Sequence, residues 1–192
     1  MSFLPGFEPA LPATDNHDGK GNEWFTPPDV VRAVRMLCPD GVIDLDPCYC
    51  ELGVTDARHR IDIRDGGNGL TDPWLGEGLA FVNPPFEDPG PWLARCVSQA
   101  RRRDVVALVP VATNTNYWFA HVWTVGGHVV IHRGRLAFVG TGGQAHAGAM
   151  VKTCFVVWSA DLAARLCSAL RAVGFDAVAL GVLPTLEQEL PW

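Results

Sequence analysis

Four consecutive residues, Asn83-Pro84-Pro85-Phe86, combine the groups needed to hold a planar heterocycle that carries an amino substituent. The two prolines have fixed φ and no backbone N–H, so their carbonyls are held as acceptors. Asn83 adds a side-chain carbonyl, and Phe86 adds a flat apolar face beside those acceptors. Such a set can stack the ring and accept both amino hydrogens. An Asn-Pro step by itself is an ordinary turn starter, so the weight of the motif depends on its neighbours. Upstream, Asp44 and Asp46 alternate in Val42-Ile43-Asp44-Leu45-Asp46-Pro47 and therefore share one side of a short apolar strand. Ending that strand in Asp-Pro places carboxylates at its carboxyl end, where open α/β sheets bind ligands.

The elements that must position these groups are legible from patterning. Residues 1–21 are rich in Pro, Gly, Asp and Ala without a period, which predicts a mobile arm ahead of one domain over 22–192. Trp24-Phe25-Thr26-Pro27-Pro28-Asp29 reads as the start of a helix, with Thr26 as N-cap and Pro27 in the first helical position. Leu79 to Val82 is the strand that feeds Asn83. Trp92, Leu93, Cys96, Val97 and Ala100 follow at helical spacing, and Arg101-Arg102-Arg103 closes that helix, favouring its C-terminal dipole. Further strands are expected over His59 to Asp65, Asp104 to Val109, Val129 to His132, Thr153 to Trp158 and Phe175 to Leu183. A last helix before Gly174 carries Leu162, Leu166 and Leu170. Strands alternating with helices or long connections predict an α/β domain with a mostly parallel sheet.

Composition narrows the function. With 48% hydrophobic and 19% charged residues, the 192-residue chain reads as globular rather than disordered. Its apolar runs, such as Val105 to Val109, are too short to span a bilayer. With no secretory signal and six cysteines lacking repeated Cys-x-x-Cys spacing, the expectation is a cytoplasmic protein with reduced thiols. Cys48 and Cys50 make an awkward zinc pair without a second pair, so no metal is expected. The net charge of −6 hides an asymmetry: Pro89 to Lys152 holds seven Lys or Arg and one acid, hence +6, leaving −12 elsewhere. That predicts a local basic face able to meet phosphates.

Taken in order, these residues resemble the phage-type DNA adenine-N(6) methyltransferases (Dam-like), a branch of the S-adenosylmethionine-dependent enzymes with a Rossmann-like fold. The resemblance covers about Asn22 to Trp158. It rests on Trp24-Phe25-Thr26-Pro27, Asp44-Leu45-Asp46-Pro47-Cys48, Gly69-Leu70 with Trp74, and Asn83-Pro84-Pro85-Phe86. Leu108-Val109-Pro110, Thr113 with Thr115, and Gly134-Arg135-Leu136 with Phe138 complete it. It implies that Trp24, Phe25, Thr26, Pro27, Asp44, Asp46, Pro47 and Cys48 hold S-adenosylmethionine, the carboxylates taking its amino group. Asp62 or Asp65 would take the ribose hydroxyls. Asn83 and the Pro84 carbonyl would bind the target amino group, with Pro85 stiffening the loop and Phe86 stacking on the base. Asn at the first motif position, where cytosine-amino enzymes of this class usually have Ser, points to adenine. DNA is the implied substrate, in a bacterial or phage-infected cell. Arg133 to Lys152 is the candidate recognition segment, through Arg133, Arg135, Gln144 and Lys152. The glycine-rich turn common after the Asp-Pro of such enzymes is replaced here by Tyr49-Cys50-Glu51, with Gly53 later. Two other readings stay open at this point: methylation of RNA or of a protein glutamine amide, and a non-catalytic nucleic-acid-binding protein of the same fold.

Overall fold

A computed structural model describes residues 25–49, 54–138 and 152–181. Seven strands form one sheet: β1 (Leu45–Tyr49), β2 (His59–Asp62), β3 (Ala80–Val82), β4 (Val105–Pro110), β5 (His128–His132), β6 (Thr153–Val157) and β7 (Ala177–Leu180). Their spatial order is β2-β1-β3-β4-β6-β5-β7. Val105 to Val109 of β4 are all buried, as expected of an unbroken apolar run in a strand covered on both faces.

Four helices cover the sheet. On one face, α1 (Pro28–Arg35) packs on α4 (Ala160–Ala172). Val30, Val31 and Val34 of α1 and Leu162, Leu166 and Leu170 of α4 share a core there with Ile43, Phe81, Leu108 and Phe155. Each of those leucines contributes roughly 1.5–3 kcal/mol by leaving water. The last turn of α4 ends at Gly174, whose φ of 102° is open to glycine at little cost. On the other face lie α2 (Pro89–Gln99) and a short α3 (Asn116–Trp118), which runs into a π-helical turn over Phe119–Trp123. Leu93, Cys96, Trp118 and Val122 close the second core against Leu45, Val82, Val109 and Cys154.

The α/β class stands, but the mostly parallel sheet does not. The pairs β1·β2, β1·β3 and β3·β4 are parallel, whereas β4·β6, β5·β6 and β5·β7 are antiparallel. The reason is one of order. The chain crosses from β4 to β5 while leaving a position empty, and β6 returns antiparallel into that gap. Apolar runs identify strands, yet they do not say which neighbour each strand will find.

Candidate active site

Because β1, β3, β4 and β5 run the same way and β6 runs back, one edge of the sheet collects several chain segments. These are the end of β1, the Asn83 loop, the exit of β5 and the start of β6. The chain leaves β1 toward β2 on one side and leaves β3 toward β4 on the other. The crevice between β1 and β3 is therefore a topological switch point, the place where α/β sheets take ligands.

Asn83 follows β3 directly, and its side-chain Nδ2 donates to the Thr26 hydroxyl at 3.0 Å. Thr26 was expected to cap α1. Instead the helix starts one residue later with Pro27 as N-cap, which has no side-chain acceptor to offer, and the Thr26 hydroxyl meets Asn83. Pro84 is buried, Pro85 exposed and Phe86 half-buried. The Phe86 ring meets Phe138 edge-on, with centroids 5.7 Å apart and planes at 83°, a favoured aromatic geometry. Phe138 follows β5 and is buried, so a distant segment holds the Phe86 ring upright.

Asp46 is buried in β1. Its Oδ2 accepts from the Thr55 hydroxyl at 2.6 Å and its Oδ1 from the Cys48 backbone N–H at 2.9 Å. Among the described residues it has no ion-pair partner. Burial pushes its pKa up to about 6, against the partial opposition of those two neutral donors. Thr55 is itself held through its carbonyl, which accepts from Arg35 at the end of α1 at 3.0 Å. Thus α1 braces both groups, with Thr26 before its first turn and Arg35 in its last.

Asp44 departs from expectation. It precedes β1 and sits at the opposite, amino edge of the sheet, where its carboxylate accepts from the Gly78 N–H at 2.7 Å and lies 4.0 Å from Arg58. A side chain at Gly76 would stand 2.2 Å from the Asp44 Oδ2, so the loop folds over the carboxylate. The two acids share a strand but not a site. A cavity of about 410 Å³ at that amino edge is lined by Asp40, Asp44, Arg58, Glu77, Asp104 and Arg165. Arg58 pairs there with Asp40, and Arg165 with Asp104.

The other expected residues divide. Phe25 is fully buried and Pro27 is covered beside it, while Cys48 is half-buried against the second core. Pro47 is pressed by Gly69, where an added Cβ would fall 2.2 Å from the Pro47 carbonyl; Trp74 fixes that loop by donating to the Gly69 carbonyl at 2.7 Å. Asp62 ends β2, but Arg64 already grips both carboxylate oxygens, at 3.0 and 2.6 Å, and holds its pKa below the ordinary value. Asp65 is exposed. Trp24, Gln144 and residues 50–53 of the replaced glycine turn lie outside the described residues.

Arg133, Arg135 and Lys152 are exposed at the site edge; Arg133 pairs loosely with Asp176 at 3.2 Å. The basic segment does not form one face, however. Arg101, Arg102 and Arg103 lie beyond the end of α2 and just before β4, at the amino edge, and Arg103 is tucked against the Leu75 carbonyl. Charge counted along the chain spreads over two ends of the fold. Sequence reasoning also missed Thr55 as the partner of Asp46 and gave Phe138 no role. Neither has a local signal: Thr55 reaches back nine residues to the strand before it, and Phe138 meets Phe86 from beyond β5.

Among the described residues, no three His, Cys, Asp or Glu gather as metal ligands, and no helix is long and apolar enough to cross a membrane. The fold and site thus define an α/β protein with a rigid amide-and-aromatic loop and a buried acid that has no ion-pair partner among the described residues. Residues 14–171 match the family model described as DNA N-6-adenine-methyltransferase (Dam), and the chain belongs to that family. Neither a curated protein nor a solved structure matches the chain.

Proposed function

We propose that this protein transfers a methyl group from S-adenosylmethionine to the exocyclic amino group of adenine in DNA. The observation that carries the proposal is the Asn83 amide, whose –NH₂ end is bonded to Thr26 so that its Oδ1 remains an acceptor at the crevice. Family membership supplies the reaction class.

The acid of the crevice fits the methyl donor. Among the described residues Asp46 is buried with neutral donors only, and the donor's ammonium group would supply a cationic partner. Cys48 donates its backbone N–H to Asp46, and Thr26 and Pro27 precede the helix whose Arg35 braces Thr55, so these three residues flank that half of the site. Asp62 is a weaker ribose ligand than expected, since Arg64 already occupies it. When bound, S-adenosylmethionine supplies an electrophilic methyl group whose C–S bond breaks as the C–N bond forms.

The chain's own residues prepare the nitrogen. Asn83 Oδ1 and the Pro84 carbonyl accept the amino hydrogens, draw the nitrogen toward tetrahedral geometry and localise its lone pair. Positive charge developing on that nitrogen is stabilised by the same acceptors, and its proton leaves to water. No general base of tuned pKa is needed. Phe86, held upright by Phe138, offers a stacking face to a base that has left the duplex, a step that costs a few kcal/mol of unstacking. Arg133, Arg135 and Lys152 would meet the phosphates on the same edge. The test is incubation with plasmid DNA and total RNA in the presence of labelled S-adenosylmethionine, followed by nucleoside mass analysis. N6-methyladenine in the DNA is expected. Label confined to RNA or protein, or absent altogether, would overturn the proposal.

A further inference from the structure

We infer that Thr26 is a positioning residue for methyl transfer: its hydroxyl anchors the Asn83 side-chain amide so that the amide's free acceptor is held toward the target nitrogen. The inference rests on the proposed reaction and goes beyond a role for Thr26 in holding the methyl donor.

A side-chain amide has two opposite ends. Turned by half a rotation, Asn83 would offer two N–H donors to an amino group that is itself a donor, and the acceptor would be lost. The terminal torsion of Asn is broad and roughly two-fold, so its own backbone does not choose between the ends. Thr26 stops that rotation: a hydroxyl can bond either end, and here its oxygen accepts from Nδ2 at 3.0 Å, from a position only 3% exposed, which leaves Oδ1 on the other side. Both partners are stiffly mounted. Thr26 precedes Pro27-Pro28 and Asn83 precedes Pro84-Pro85, and a residue before proline is confined to extended backbone. The bond therefore joins two rigid segments 57 residues apart and orders little that was free.

The experiment compares the wild type with Thr26→Val and Thr26→Ser. Valine keeps the shape and removes the acceptor; serine restores it. At saturating DNA and S-adenosylmethionine, Thr26→Val should lower kcat about tenfold or more, the scale of one lost neutral hydrogen bond in the transition state, while Thr26→Ser stays within about threefold. The Asn83 side-chain amide resonances, identified by their absence in Asn83→Ala, give a readout independent of turnover. Their separate, slowly exchanging N–H signal should vanish in Thr26→Val and persist in Thr26→Ser. An unchanged kcat or an unchanged amide signal in Thr26→Val would overturn the inference. So would a loss confined to S-adenosylhomocysteine affinity, which would make Thr26 a donor-binding residue only. If the wild type transfers no methyl group, the proposed reaction fails and the positioning role falls with it. If the wild type is active and Thr26→Val matches it, only the positioning role falls.

Discussion

Asp44 and Asp46 stand two residues apart, both buried, yet they answer to different parts of the molecule. Asp44, at the amino edge, is enclosed by the Gly76–Gly78 loop and faces Arg58. Asp46, on the crevice side, has a hydroxyl and an N–H for company and, among the described residues, no cation. The contrast extends to the two edges. At the amino edge, Arg58 meets Asp40 and Arg165 meets both Asp104 and Asp161, so that edge is held together by paired charge. At the carboxyl edge, Asn83 keeps an acceptor in reserve and Asp46 keeps a charge that costs free energy to bury. Groups committed to one another hold a fold, and groups left partly unsatisfied are available to a ligand.

The contrast can be broken by substitution. Asn83→Ala should have the largest effect, lowering methyl transfer by three orders of magnitude or more on the scale of a lost transition-state contact, with S-adenosylhomocysteine affinity kept within a few-fold by titration calorimetry. Asp46→Asn should weaken donor binding about 10- to 100-fold, whereas Asp44→Asn should leave it unchanged and instead lower the melting temperature. Equal loss of affinity in the two variants would erase the distinction between the edges.

The pH dependence sharpens it. The folded pKa of Asp46, about 6, lies above the ordinary 3.8, so the unfolded chain ionises first. The cost of burying its charge is absent well below 3.8, grows as pH rises from there to about 6 and is complete above it. Asp46→Asn should therefore raise the stability of the ligand-free protein by about 3 kcal/mol at pH 7 and change little at about pH 3, measured by urea unfolding. Donor affinity in the wild type should in turn tighten as pH rises through about 6. The smallest effect is expected from Arg133→Ala with Arg135→Ala, which should weaken DNA binding several-fold and reduce the log–log salt slope by about 2. An unchanged slope would place the phosphate contacts elsewhere.

How much of this was legible in the sequence depended on how locally each feature is specified. Asn83 to Phe86 could be singled out and placed after its strand, because proline, amide and ring stand within one tetrapeptide that follows β3 directly. The strands could be read from apolar runs, and Gly174 marked the end of α4. The difference between Asp44 and Asp46 could not, because alternation assigns a side of the strand and not an edge of the sheet. Thr26 looked like a cap since its helix starts one residue later; its actual partner is 57 residues away. The +6 segment looked like one face because charges adjacent in sequence were carried by β4 to opposite edges. The antiparallel half of the sheet was hidden for a similar reason, as β6 finds its place in a gap left by β4 and β5.

The brace formed by α1 has a practical consequence for transplantation. The tetrapeptide at 83–86 brings acceptors and a ring, but its aim comes from Thr26, and the acid beside it is steadied through Arg35 and Thr55. Grafted alone onto another sheet, those four residues would carry the parts of the reaction without their alignment. The smallest portable unit is a pair of separate segments, the tetrapeptide together with the eight-residue helix and the threonine that precedes it.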